Sequence, residues 1–122
     1  SCEEVSSSQH KKGGRNDSLR EETQKILQRL NSTEQNIFLD EKGKGLSSEE
    51  FSAFLEQQMN FGTSSMTFVI GGAFGFHQDL IPVSSKKIRL SDMTMNHQMT
   101  RIMFLEQLYR AFTIIRGESY HH

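Results

Sequence analysis

The sequence predicts an α/β sandwich around a mostly parallel sheet, in one domain spanning residues 1–122. Short apolar runs of strand length alternate with longer stretches of helical period, the signature of strand–helix–strand units. The run Met66–Ile70 is apolar enough to be central, as strands buried on both faces are. A length of 122 residues suits one hydrophobic core.

The elements follow in order. Residues 1–18 are polar and rich in Ser, Gly and Lys. They read as a short strand remnant, Cys2 to Val5, followed by a mobile loop. From Leu19 the pattern turns helical: Leu19, Thr23, Ile26, Leu27 and Leu30 share one face, and Ser18 with Glu21 has the spacing of a capping box. "NIFLD", Asn36 to Asp40, is a short buried strand, and "EKGKG" is a turn. The second helix has the clearest start: Ser47 as N-cap, Glu50 three residues on, and Leu46 stapled against Phe51. Its buried face is Phe51, Phe54, Leu55 and Met59, and Gly62 is placed to stop it. Met66–Ile70 breaks at Gly71-Gly72, a loop carries Pro82, and "KKIRL", Lys86 to Leu90, is a further strand. The loop "SDMTMN" then leads into a last helix from His97 to about Ile115.

Composition excludes several classes. Formal net charge is −1, so any nucleic-acid contact must come from a local basic patch. The single cysteine, Cys2, permits no internal disulfide and points to a reducing compartment, the cytoplasm or an organelle. The N-terminal residues lack the apolar core of a secretory signal, and no apolar run is long enough for a membrane span.

Four motifs invite a site. "DEKGKGLSSEEF" imitates a calcium loop, but Lys42 and Lys44 stand where oxygen ligands belong and Phe51 replaces the closing Glu, so a strand–turn–helix link is the better reading. "VIGGAFGF" runs from a strand into glycines that let a ligand approach the backbone, yet it lacks GxGxxG spacing and the Lys-Ser/Thr of a triphosphate loop. The histidines show no metal-ligand spacing, so no metal is expected. Met93, Met95, Met99 and Met103 read as core packing.

The last helix is apolar on two sides. Ile102, Leu105, Tyr109 and Phe112 form one stripe; Phe104, Leu108, Ala111 and Ile115 form another. One stripe packs on the sheet; the second calls for another cover, and a symmetric dimer is the simplest. Arg101 and Arg110 then lie near that seam, with a pairing to Glu106 as the ordinary alternative.

Three stretches, "FLDEKGKGLSSEEFSAFL", "TFVIGGAFGF" and "LSDMTMNHQMTRIMFLEQLYRAFTIIRGESYHH", resemble in that order the ribosomal RNA large-subunit methyltransferase H family of the SPOUT superfamily. The resemblance is close from Ile37 onward and loose from Leu19 to Leu30. It implies a SPOUT-type sandwich with a C-terminal trefoil knot over about residues 66–122, and a homodimer. It implies methyl transfer from S-adenosylmethionine to N3 of a pseudouridine in large-subunit ribosomal RNA, free or in the assembled ribosome. The implied cofactor pocket is Leu39, Gly72, Ser91, Asp92, Met93, Thr94, Met95 and Asn96. The implied RNA contacts are Arg101, Arg110, Arg116, Tyr120, His121 and His122, with His121 the candidate general base on its chemistry. The family's first strand and helix have no counterpart here, Ala73-Phe74 and Asn96 replace its usual residues, and His122 stands for a terminal Lys or Arg. A catalytically silent RNA-binding or ribosome-assembly module of the same fold is the alternative.

Overall fold

The structure, a computed structural model, describes residues 14–30, 35–61, 65–71, 75–82 and 85–122, with backbone alone for 14–16. Cys2 to Val5, Gly62, Gly72 and Ala73-Phe74 lie outside the described residues.

The elements are α1 (Gly14–Arg29), β1 (Gln35–Gly45), α2 (Ser48–Asn60), β2 (Met66–Ile70), a 3₁₀ turn (Gln78–Leu80), β3 (Lys86–Arg89) and α3 (His97–Ile115). The described strands form one parallel sheet in the order β2-β1-β3. Alternation along β1 divides the core in two. Ile37 and Leu39 face a cluster with Phe51 and Leu55 of α2, Ile88 of β3, and Phe104 and Ala111 of α3. Phe38 faces the other way, toward Ile26 of α1, Val69, Phe76 and Ile81. A pleated strand sends successive side chains to opposite faces, so one β1 segment serves both layers. Ile37 and Leu55 are fully buried, and each such side chain contributes about 1.5–3 kcal/mol. The link from β1 to β2 crosses one face as α2; the link from β2 to β3 crosses the other, beneath α1.

The elements predicted within the described residues appear, with one correction of position and four of detail. Met66–Ile70, expected to be central, is β2 at an edge of the described sheet, with β1 in the middle, and four of its five residues are only half-buried. First, α1 begins at Gly14, so residues 14–17 are not loop. Ser18 is a buried residue inside the helix and no N-cap; Asp17 in the first turn favours the earlier start through the helix dipole. Second, "EKGKG" belongs to β1. The strand bulges between Leu39 and Lys44, both of which pair with Ile88. The Lys42 N–H donates to the Asp40 carboxylate at 3.0 Å and shapes the bulge. Gly43 is pressed on β3 so closely that a Cβ would stand 2.6 Å from Ile88 N.

Third, Met59 is 37% exposed and Gln58 is buried in its place. Fourth, two of the four methionines are not core: Met93 is 77% and Met99 48% exposed, on the loop and on the outer face of α3, whereas Met95 and Met103 are half-buried. The α2 start is as predicted: Glu50 N–H donates to Ser47 Oγ and Ser47 N–H to the Glu50 carboxylate.

Candidate functional site

Register brings three distant segments to the carboxyl edge of the sheet. Leu39 pairs with Ile70, the last residue of β2 before the glycine loop, and with Ile88, two residues before Leu90. Open parallel sheets bind ligands outside this edge. A cavity of about 200 Å³ lies there, lined by Leu46, Ser48, Phe51, Ile88, Leu90 and Gln107 among others. It sits between the α2 start, the β3 end and α3, and neither Leu39 nor any residue of Ser91–Asn96 is among the residues that line it. The Leu39 side chain itself is buried in the core. A larger hollow of about 410 Å³ between the far ends of α2 and α3, lined by Phe61, Ile114 and Ile115, contains none of the predicted site residues.

The loop Ser91–Asn96 is held by local bonds. Arg89 pairs with Asp92 at 2.9 Å, and Ser91 Oγ accepts from Met93 N–H at 3.0 Å. Asn96 is the N-cap of α3, its Oδ1 accepting from Met99 N–H at 2.8 Å, a role the sequence reading missed although Asn before an apolar helical run is its signal. Asp92, Met93, Thr94 and Asn96 are exposed and Ser91 and Met95 half-buried, so the loop presents backbone and side chains outward.

Beyond α3 the chain reverses. Gly117, at φ +73°, takes the left-handed position. Glu118 N–H bonds Thr113 C=O at 2.8 Å and Gly117 N–H bonds Ile114 C=O at 3.1 Å, which is a Schellman motif. The tail therefore runs back along α3. Tyr120 meets the Tyr109 ring edge-on at 4.9 Å and lies 4.9 Å from the Arg110 guanidinium, while its hydroxyl donates to Glu106 Oε1 at 3.2 Å. His121 stands between Arg110, 3.0 Å from Nδ1, and Glu49 of α2, 2.8 Å from Nε2.

The arginines are not bare cations. Arg110 pairs with Glu106 at 2.6 Å, the ordinary alternative raised above, and Arg116 pairs with Glu118 at 2.7 Å. The Arg110 hydrogen bonds hold the Glu106 carboxyl below its ordinary range. His121 does the same for Glu49, and Arg116 for Glu118. Arg101 is half-buried on α3, and His122 is exposed.

Two further groups had no visible sequence signal. Gln78 Nε2 donates to the Asp40 carboxylate at 2.6 Å, and Lys87 Nζ donates to Gln78 Oε1 at 2.8 Å, tying the segment after the glycine loop to both β1 and β3. On α1, burial pushes the Glu22 carboxyl above its ordinary value, partly offset by His97 at the start of α3 and by Lys25. No group of three or more His, Cys, Asp or Glu placed to hold a metal occurs among the described residues. Nor does any helix among them have the length and apolarity to cross a membrane.

Fold and site together define a small parallel α/β protein with a cavity and a hydrogen-bonded loop near the carboxyl edge of its sheet. Comparison with known proteins narrows the class. A family profile described as "Predicted SPOUT methyltransferase" matches residues 1–121. The chain is 50% identical over 97 residues to the "Ribosomal RNA large subunit methyltransferase H" of Flavobacterium johnsoniae, covering 80% of this chain and 62% of that protein. It is 48% identical over 101 residues to the protein of that name from Porphyromonas gingivalis, covering 83% and 64%. It is 44% identical over 120 residues to the one from Geotalea daltonii, covering 98% and 78%. The chain thus spans 62% of the length of the Flavobacterium relative. The chain belongs to the SPOUT methyltransferase family.

Proposed function

We propose that the chain is the methyltransferase part of an S-adenosylmethionine-dependent enzyme that methylates N3 of a pseudouridine in large-subunit ribosomal RNA. The observation that carries this reading is identity of 44–50% to relatives named for ribosomal RNA methylation, in a chain whose sheet register sets Leu39 beside Ile70 and Ile88 at the strand ends that lead into the glycine and Ser91–Asn96 loops.

The residues fit such a cofactor. The cavity of about 200 Å³ is smaller than the roughly 300–1,000 Å³ of a whole ligand site. In this reading the exposed loop, outside that cavity, would form the cofactor's other wall, with Met93 and Met95 as soft apolar cover and backbone groups for a purine edge. Leu39, Gly72 and Ser91 to Asn96 would hold it. When bound, the cofactor supplies an already activated methyl group, so the protein's part is to position and to exclude water.

The tail supplies the RNA side. Tyr120 offers an aromatic face, which is worth roughly 1–3 kcal/mol per stacked base. Arg116 would exchange its carboxylate for a phosphate on binding, and Arg101, Arg110, His121 and His122 complete the surface. The outer stripe of α3, with Ile102 62%, Leu105 57% and Tyr109 54% exposed, is the dimer face in this reading. A C-terminal knot and a cytoplasmic location belong to the same reading.

The test is methyl transfer into ribosomes and free ribosomal RNA with mapping of the modified nucleotide, beside calorimetry with S-adenosylmethionine. Cofactor binding with a methylated pseudouridine is the expected result. Failure to bind cofactor would leave a silent RNA-binding module.

A further inference from the structure

Glu49 has no part in any role described so far. It stands in the first turn of α2, where Ser47 and Glu50 are occupied with each other in the capping box. Its carboxylate instead ends a run of contacts that begins at Tyr120 and passes through Glu106, Arg110 and His121. We infer that Glu49 is a positioning residue for the tail: its carboxylate and the Arg110 guanidinium hold His121 as a single ring tautomer, and so fix Tyr120 against α3.

Donor and acceptor counting carries this. An arginine N–H can only donate, so His121 Nδ1, 3.0 Å from Arg110, is an acceptor. The hydrogen of the neutral ring then sits on Nε2, where it donates to Glu49 Oε1 at 2.8 Å. The other tautomer would set two N–H groups against each other at Arg110 and a lone pair against a carboxylate at Glu49. Arg110 is in turn oriented by Glu106, through contacts of 2.6 Å from Nη2 and 3.0 Å from Nε. His121 is 22% exposed in its side chain, so the ring is enclosed between α2 and α3 rather than trailing in solvent. While the ring is docked it has no free lone pair. Its part in the methyl transfer proposed above is then to place Tyr120, not to accept a proton. That last step rests on the proposed function; the tautomer and its anchor do not.

Nitrogen-15 long-range correlation spectra of the full chain decide it, recorded at pH about 8, above the ordinary imidazole range. The wild type and Glu49→Gln, whose amide oxygen accepts the same hydrogen, will show Nδ1 bare and Nε2 protonated. Glu49→Ala, with its melting curve checked for an intact fold, will show the two tautomers averaged. An averaged ring in the wild type, or a single tautomer in Glu49→Ala, overturns the inference. In the methylation assay, Glu49→Ala should lower kcat about tenfold with cofactor affinity unchanged, and Glu49→Gln should restore it. Wild-type turnover by Glu49→Ala removes the positioning role. A wild type that binds no cofactor and methylates nothing removes the proposed function while the spectra still judge the anchor.

Discussion

Gln78 Nε2 lies 2.6 Å from the carboxylate of Asp40, a residue only 8% exposed. Through its other amide atom Gln78 also takes the Lys87 ammonium at 2.8 Å. One side chain thus joins β1 and β3 to the segment that follows the glycine loop. Gln78→Leu will leave a buried carboxylate short of a donor and cost about 1–3 kcal/mol. Urea melts will read the loss, and calorimetry will show weaker S-adenosylmethionine binding. An unchanged melt would mean that water replaces the amide without penalty.

At the bulge, Gly43→Ala will push a methyl group into the β3 backbone, since its Cβ would lie 2.6 Å from Ile88 N and from Lys87 C. Neither neighbour is the end of a flexible side chain, so the expected destabilisation is about 1–3 kcal/mol or more. A midpoint within error of the wild type would show that β3 can move aside.

Ser47→Ala removes the oxygen that accepts from Glu50 N–H at 3.1 Å. The cost will be about 1 kcal/mol in thermal or denaturant unfolding. Cofactor affinity is a second readout, because Ser47 also lines the cavity at the α2 start.

The exposed α3 stripe gives an assembly prediction. Leu105→Asp, at a position 57% exposed, will leave the fold of the single chain intact and abolish dimerisation. Light scattering at micromolar concentration checks both proteins. A monomeric wild type would leave the stripe without the proposed occupant.

Acid should release the tail. Glu106 is held below its ordinary range first by Arg110, and Glu49 first by His121. A depressed folded-state pKa contributes stability that is complete above the ordinary carboxylate value and is lost as pH falls through the lowered one. The stability that Glu106 and Glu49 contribute to docking should therefore be complete at and above the ordinary carboxylate range and fade below it. Backbone NMR signals of Ser119 to His122 across an acid titration will show whether they change there. Tail signals that hold their docked positions well below that range would show that stacking on Tyr109 suffices.

The order of elements was written in local pattern. Met66–Ile70 announces a strand by its apolar run, Ser47 and Glu50 announce a helix start by spacing, and Phe104, Leu108, Ala111 and Ile115 mark the face of α3 that meets the core. Those signals act within a few residues, so a linear reading finds them. The motifs that carried the family resemblance were equally local, and the family they pointed to is the one to which the chain belongs.

Other features depended on what the fold brings together. The "EKGKG" segment reads as a turn until β3 lies beside it; only then does Gly43 become a contact point and the turn a bulge. Met93 and Met99 look like core until the loop turns outward. The helix-capping role of the Asn96 side chain emerges only with the turn that sets its Oδ1 against Met99 N–H. Glu49 and His121 are 72 positions apart and share no spacing rule. Their contact exists because Gly117 reverses the chain after α3 and because the core packs α2 against α3. A sequence specifies which groups can donate and accept. Which donor meets which acceptor is decided by chain reversal and packing, because hydrogen bonds form only over a few ångströms and those distances exist only in the folded molecule.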